Sequence, residues 1–173
     1  MTSPASAAGQ RLAKTREAAE QGDAKAQYRL AEIYARGTGV PRDKAEAAKW
    51  YRAAAKQGHA EAQCHLGWMY DIGDGVPRDQ TEAAKWYRTA AEQGDARAQY
   101  HLGVVYANGG GVSQDYAEAY KWFSLAGAED TPDRLDVIRK KTTPTQVAEG
   151  KKRAAEFRPK KPGESTPSQQ TTT

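Results

Sequence analysis

The hexapeptide AAKWYR occupies Ala47–Arg52 and recurs unchanged at Ala83–Arg88, an interval of 36 residues. A related hexapeptide, AYKWFS, occupies Ala119–Ser124 after the same interval. Such a phrase is either a binding site used three times or a packing element of a repeating structure. The sequence around it distinguishes these two interpretations.

The repetition extends well beyond the hexapeptide. Residues 22–57 match residues 58–93 at 22 of 36 positions without a gap, and residues 58–93 match residues 94–129 at 17 of 36. Self-similarity at a fixed period is the signature of a repeat architecture. We therefore predict three copies of one structural unit.

Each unit predicts two helices joined by a glycine-containing turn. In the first unit Ala26, Leu30, Ile33 and Tyr34 lie at i, i+4, i+7 and i+8, which forms one stripe of a helix. A G-x-G-V turn follows, and its first glycine suits the left-handed backbone just past a helix end. An aspartate with a glutamate three residues later then predicts a capping box that opens the second helix. The glycines are Gly37, Gly73 and Gly109, and the acidic pairs are Asp43 and Glu46, Asp79 and Glu82, and Asp115 and Glu118.

The second helix carries the hexapeptide, which we predict to be structural. Ala47 and Ala48 allow close approach of helices, and Trp50 can bury ~150–250 Å² between them. Trp86 and Trp122 hold the same position in the later units. Lys49 and Arg52 are predicted to point into solvent.

Three phrases of this chain resemble the Sel-one-like repeat family, which is related to the tetratricopeptide repeats. They are A-x-A-Q-x-x-L-G-x-x-Y, G-x-G-V-x-x-D and E-A-x-K-W-[YF]-x-x-A. The resemblance implies an all-α fold, namely an α-solenoid of three 36-residue helix–turn–helix repeats with helical caps at both ends. The expected organisation is a flexible N-terminus (1–10), a cap helix (11–21), repeats (22–57, 58–93, 94–129), C-terminal cap helices (132–157) and a disordered basic tail (158–173).

The resemblance also implies a protein–protein interaction scaffold or adaptor that binds a partner protein or peptide on a concave surface. The family context is bacterial signalling, envelope regulation or host interaction. By analogy with tetratricopeptide geometry, the first helices line this surface. The expected contact positions are Lys25, Tyr28, Glu32 and Ala35, then Glu61, Cys64, Trp68 and Asp71, then Arg97, Tyr100, Val104 and Ala107.

These positions differ between units, whereas the core positions repeat. Trp68 stands out because Glu32 and Val104 hold the same place in the other two units. An exposed aromatic anchor often dominates an interface. Trp68 therefore either anchors a partner or packs on a neighbouring helix.

Catalytic and metal-binding residues are not indicated by the pattern. His65 and His101 hold equivalent places, and a metal site needs three or four converging ligands, so we interpret both as solvated surface histidines. Cys64 has no conspicuous base beside it. We expect no cofactor, no small-molecule substrate, a monomer and no enzymatic activity. Hydrolysis of β-lactams, described for cysteine-rich relatives, is a less favoured alternative because this chain has one cysteine.

The net charge of +4 is concentrated near the C-terminus. Residues 1–131 carry 16 Lys and Arg against 17 Asp and Glu, whereas residues 132–173 carry 10 against 5. This basic segment is either a solvated face with a solubility tail or an electrostatic contact with nucleic acid or an anionic membrane. No stretch is apolar enough to span a bilayer, and the first residues do not resemble a signal peptide. The default expectation is a cytoplasmic protein, or a periplasmic or secreted one if a signal was removed.

Overall fold

The computed structural model describes residues 4–127, 138 and 140–161. These residues form eight helices and no strand, and Ile138, Lys140 and Lys141 are also helical. The helices are α1 (Pro4–Glu20), α2 (Ala24–Arg36), α3 (Lys44–Lys56), α4 (Ala60–Ile72), α5 (Gln80–Glu92), α6 (Ala96–Asn108), α7 (Tyr116–Leu125) and α8 (Pro144–Glu156).

Each helix packs mainly on its neighbour in the chain, from α1 on α2 through to α6 on α7 and α8 on α7. Contacts limited to neighbouring elements are the defining property of a solenoid. The predicted all-α solenoid with helices at both ends is thereby confirmed.

The turns between the two helices of each unit follow the predicted chemistry. Gly37, Gly73 and Gly109 adopt left-handed backbone with φ of 73°, 76° and 74°. Asp43 accepts a hydrogen bond from the backbone N–H of Glu46 and thereby caps α3. The expected capping box also has the glutamate side chain bond back to the start of the helix. Instead, the Glu46 carboxylate accepts hydrogen bonds from Trp50 Nε1 at 3.0 Å and Lys49 Nζ at 2.8 Å.

The second aromatic residue of each hexapeptide is the core residue. Tyr51, Tyr87 and Phe123 are 3%, 0% and 2% exposed. Among the tryptophans only Trp122 is buried as expected, whereas Trp50 and Trp86 are half-buried at the edge of the core. The solvent-facing prediction is correct for Lys49 but wrong for Arg52, which is half-buried, hydrogen-bonds to the Tyr70 hydroxyl at 2.6 Å and lies 5.8 Å from its ring centroid.

Buried glutamines connect successive units. Each donates from its side-chain amide to a backbone carbonyl of the preceding helix: Gln27 to Ala19, Gln63 to Ala55 and Gln99 to Ala91. Gln57 and Gln93, just after α3 and α5, donate in turn to the amide oxygens of Gln27 at 2.7 Å and Gln63 at 2.6 Å. These bonds satisfy polar groups that would otherwise be buried without partners.

The C-terminal helix α8 closes the last unit. Thr143 and Gln146 form a capping box at its start. Gly150 lies against α7, where an added Cβ would be 2.8 Å from the Ala117 carbonyl oxygen. Phe157 packs edge-on against Trp122 with ring centroids 5.5 Å apart. The first part of the expected cap region, residues 132–137, lies outside the described residues.

Both chain ends depart from the expected boundaries. The N-terminal helix begins at Pro4 rather than at residue 11, because proline is tolerated in the first helical turn and the following alanines favour helix. At the other end, residues 158–161 are not a disordered tail. Lys160 donates its backbone N–H to the Glu92 carbonyl and pairs its Nζ with the Glu92 carboxylate, each at 2.8 Å. The remainder of the expected tail lies outside the described residues.

Candidate partner-binding site

The first helices of the three units, α2, α4 and α6, form a surface that we call the first-helix surface. It is defined by Tyr28, Glu32, His65, Trp68, Arg97 and His101. On α4, Trp68 is 40% exposed and Ile72, one turn later, is 53% exposed. Among the described side chains these are the exposed large apolar residues. Trp68 therefore lies at the surface, with a large part of its area open to solvent.

Two cavities flank Trp68. One has a volume of about 240 Å³ and is lined by Cys64, His65, Trp68, Arg97 and His101. The other, of about 200 Å³, shares His65 and Trp68 and extends over the C-terminal end of α2 to the turn before α3. The indole thus stands between two concave spaces that side chains of a ligand could fill.

The two histidines form part of the cavity wall rather than a solvated surface, which corrects the expectation from sequence. His65 stacks on Tyr51 with ring centroids 5.0 Å apart and planes inclined by 7°. His101 stacks on Tyr87 at 4.8 Å and 11°. Burial lowers the pKa of both histidines, and the charge of Arg97 lowers each further. Both rings are therefore neutral near neutral pH.

Arg97 reaches across the first-helix surface from α6. Its side chain is 56% exposed and lies 3.9 Å from the Asp95 carboxylate. Burial raises the pKa of Tyr28, on α2, and Glu32 adds to that rise, whereas Arg97 lowers it by its charge and a hydrogen bond. A guanidinium has five N–H donors, so Arg97 retains donors for a ligand.

Cys64 was expected to contact a partner, but it belongs to the cavity floor. It is 5% exposed. Burial raises the pKa of its thiol to about 12, and Asp95 adds to the rise. The protonated thiol is a poor nucleophile, so Cys64 supplies shape rather than reactivity.

The third unit contributes less surface than expected. Val104 is half-buried in a cluster with Phe123 and the buried Ile138, and it lines a small cavity with Ile138 and Lys141. Tyr100 is also half-buried and packs edge-on against Phe123 at 5.6 Å. The chain's own C-terminal segment therefore covers the part of α6 that corresponds to Trp68.

Of the remaining expected contact residues, Glu32 lines the second cavity, whereas Lys25, Glu61 and Asp71 line neither. Lys25 and Glu61 are exposed, Asp71 is half-buried, and Glu32 pairs with Arg36 at 2.8 Å. Sequence reasoning missed Arg36, Arg42 and Lys44, which line the second cavity. It also missed Ile72, although its i+4 spacing from Trp68 placed both on one helix face.

Neither a metal centre nor a membrane span is found in the described part of the chain. Residues 4–127, 138 and 140–161 bring together no three His, Cys, Asp or Glu side chains in an arrangement for a metal ion. In the same residues, no helix combines the length and apolarity needed to cross a bilayer.

Comparison with known proteins agrees with this architecture. The chain is 37% identical to a Sel1 repeat protein from Oxalobacter formigenes, with a TM-score of 0.66 over 75% of this chain and 98% of that one. It is 30% identical to c5321, a protective antigen present in uropathogenic Escherichia coli strains that displays an SLR fold. That match has a TM-score of 0.63 and covers 84% of this chain but only 40% of the antigen. The search of curated proteins found no match.

The family comparison follows the internal period. The Sel1 repeat matches this sequence three times in succession, at residues 24–59, 60–95 and 96–130. The first two matches span 36 residues and the third spans 35, and each begins two residues after the unit boundary predicted from sequence. The chain belongs to the Sel1 repeat family.

Proposed function

We propose that this protein is a non-catalytic interaction scaffold that binds a partner protein or peptide on the first-helix surface, with Trp68 as the central anchor. Sel1 repeat proteins generally mediate protein–protein interactions, and their scaffold is typically non-catalytic. The units differ where they line this surface and repeat where they pack. This distribution supports a common scaffold with a position-specific binding face.

The observation that carries the proposal is the exposed indole between two cavities. Interface hot spots are enriched in tryptophan, and they lie where neighbouring contacts exclude water. Trp68 and Ile72 together offer an apolar centre, and the flanking spaces of about 240 and 200 Å³ can each accept a side chain.

The test uses the full chain and a displayed library of random 12-residue peptides. The matched variant is Trp68→Val, because valine holds the equivalent place at Val104 in the third unit. We expect the wild type to enrich peptides, and Trp68→Val to weaken the selected peptides about 30-fold, the effect of losing a ~2 kcal/mol hot spot. Thr89→Ala, an exposed change on α5, should leave the Kd unchanged.

Circular dichroism separates binding from packing. The thermal midpoint of Trp68→Val should stay close to that of the wild type, because Trp68 lies at the surface with 40% of its area exposed. No enrichment by the wild type, or unchanged affinity of the variant, would contradict the proposal. A large loss of stability would show that Trp68 is a packing residue.

The alternative of an electrostatic contact through the basic C-terminal segment has less support. Lys140, Lys141, Lys151 and Lys152 are exposed. Other cations of this segment are engaged within the chain: Arg153 with Glu118 at 2.8 Å, Lys160 with Glu92 at 2.8 Å, and Arg158 with carbonyls of its own segment. Binding of an oligonucleotide with a steep salt dependence, retained in Trp68→Val, would favour this alternative.

A further inference from the structure

We propose that the ligand of the first-helix surface is an acidic peptide segment, whose large apolar side chain packs on Trp68 while flanking carboxylates pair with Arg97 and with the cationic cavity beyond Trp68. This inference rests on the proposed function and adds the chemistry of the partner.

The first step is the charge of the larger cavity. Of its five lining residues, Arg97 is the one that carries a charge near neutral pH, because burial keeps His65 and His101 neutral and Cys64 protonated. A carboxylate binds a guanidinium through paired, charge-assisted hydrogen bonds. The neutral imidazoles of His65 and His101 in the same lining can each add one N–H donor. The lining of the larger cavity therefore favours a negatively charged group of a ligand.

The second step is the charge of the smaller cavity. Its lining includes the cations Arg36, Arg42 and Lys44 and the anions Glu32 and Asp74. Arg36 pairs with Glu32, and Lys44 pairs with Asp74. Arg42 donates Nε to the Ala35 carbonyl at 3.0 Å, and no carboxylate among the described residues forms an ion pair with it. This lining therefore also has a positive excess.

The third step is the position of the carboxylates that oppose an acidic ligand. Glu61, Asp71 and Asp95 lie near this surface but outside both cavity linings. Asp95 caps α6 through Oδ1, which accepts a hydrogen bond from the Ala98 backbone N–H at 2.8 Å, and its Oδ2 lies 3.9 Å from Arg97 as a long ion pair, beyond hydrogen-bond distance. These groups disfavour acidic residues at the rim, so the attraction is confined to the two cavities beside Trp68.

The apolar centre favours a peptide over a nucleic acid. Trp68 and Ile72 present exposed aromatic and aliphatic surface on α4, which a large apolar side chain of a peptide can cover and a phosphate backbone cannot. A peptide with an acidic residue on each side of one large apolar residue matches this surface, because Trp68 lies between two cavities that each carry positive charge.

The experiment analyses the charge of peptides enriched by the full chain from the random 12-residue library. We expect enriched peptides to carry a net negative charge together with an aromatic or large aliphatic residue. Arg97→Glu should weaken the strongest selected peptide about tenfold or more, as expected for a reversed charge at a desolvated contact. Arg97→Gln should have a smaller effect in the same direction. Lys152→Glu, the same charge change at an exposed position on α8, should change the Kd less than twofold.

Each outcome bears on one of the two proposals. An enriched pool that is neutral or basic, or unchanged binding by Arg97→Glu with native circular dichroism, would overturn the acidic ligand while leaving the binding surface intact. If a single-stranded oligothymidylate of 12 nucleotides competed as strongly as the peptide does, the proposal that the ligand is a peptide would be overturned. Absence of any enrichment, or enrichment insensitive to Trp68→Val, would instead overturn the proposed function on which this inference rests.

Discussion

The glutamine connections between units make a quantitative prediction for Gln63. Its side chain is 3% exposed, donates to the Ala55 carbonyl at 3.0 Å and accepts from Gln93 Nε2 at 2.6 Å. Gln63→Met retains an unbranched side chain of similar length but removes both hydrogen bonds. The perturbation therefore removes one hydrogen bond to the preceding unit, at Ala55, and one within the unit, from Gln93.

The expected loss of stability is about 2 kcal/mol. Each hydrogen bond contributes ~1 kcal/mol net, and a buried group left without a partner costs a further ~1–3 kcal/mol. The lower end applies, because the Ala55 carbonyl also accepts the Gly58 backbone N–H at 3.0 Å and the half-buried Gln93 can reach water. The apolar methionine offsets ~1 kcal/mol of this cost.

The measurement is thermal and urea unfolding followed by circular dichroism. For a chain of this size, 2 kcal/mol lowers Tm by roughly 4–8 °C. The control is Gln57→Met: this exposed side chain donates the equivalent bond to the buried Gln27, so the variant removes one hydrogen bond rather than two. We expect it to cost ~1 kcal/mol, the net contribution of one hydrogen bond. If Gln63→Met were as mild as its control, the connections would not stabilise the contact between units.

Two further substitutions test the packing beside the candidate site. Gly67→Ala should destabilise by ~0.5–2 kcal/mol despite the better helix propensity of alanine, because the new Cβ would lie 2.8 Å from Cδ1 of the fully buried Tyr87 ring; a higher Tm would contradict this. Stability should also fall from about pH 7 to pH 5, since the lowered pKa values of His65 and His101 mean that the unfolded chain binds more protons there. The double change His65→Gln and His101→Gln should flatten this slope in urea midpoints, and an unaltered slope would refute the assignment.

The local structure was predictable because its causes are local. The left-handed glycine at Gly37 and the aspartate cap at Asp43 each require only a few neighbouring residues, and both occur where the pattern placed them. The repeat period predicted the remaining architecture, because units of similar sequence pack on their neighbours in the same way. The glutamine connections were also recoverable, because a polar residue that recurs beside a core stripe needs a partner.

Which aromatic residue of the hexapeptide faces the core was not predictable from the sequence. Trp50 and Tyr51 are adjacent, and their side chains point about 100° apart around the helix. The hydrophobic pattern alone does not say which of two neighbouring aromatics faces the core, and the expectation that the tryptophan is buried was wrong for Trp50 and Trp86 and correct for Trp122. The same limit applies to His65, whose stacking on Tyr51 depends on the packing of α4 against α3.

The extent of the binding surface depends on a contact that no local pattern contains. Val104 holds the place of Trp68 in the third unit, yet it packs in one cluster with Ile138 from the C-terminal segment. In the third unit, the position equivalent to Trp68 thus contacts the C-terminal segment of the same chain. On the proposed surface, ligand contacts would therefore fall on α2, α4 and the start of α6, where Arg97 lies in the first turn. Trp68 belongs to the middle unit, on the part of this face that the C-terminal segment leaves open.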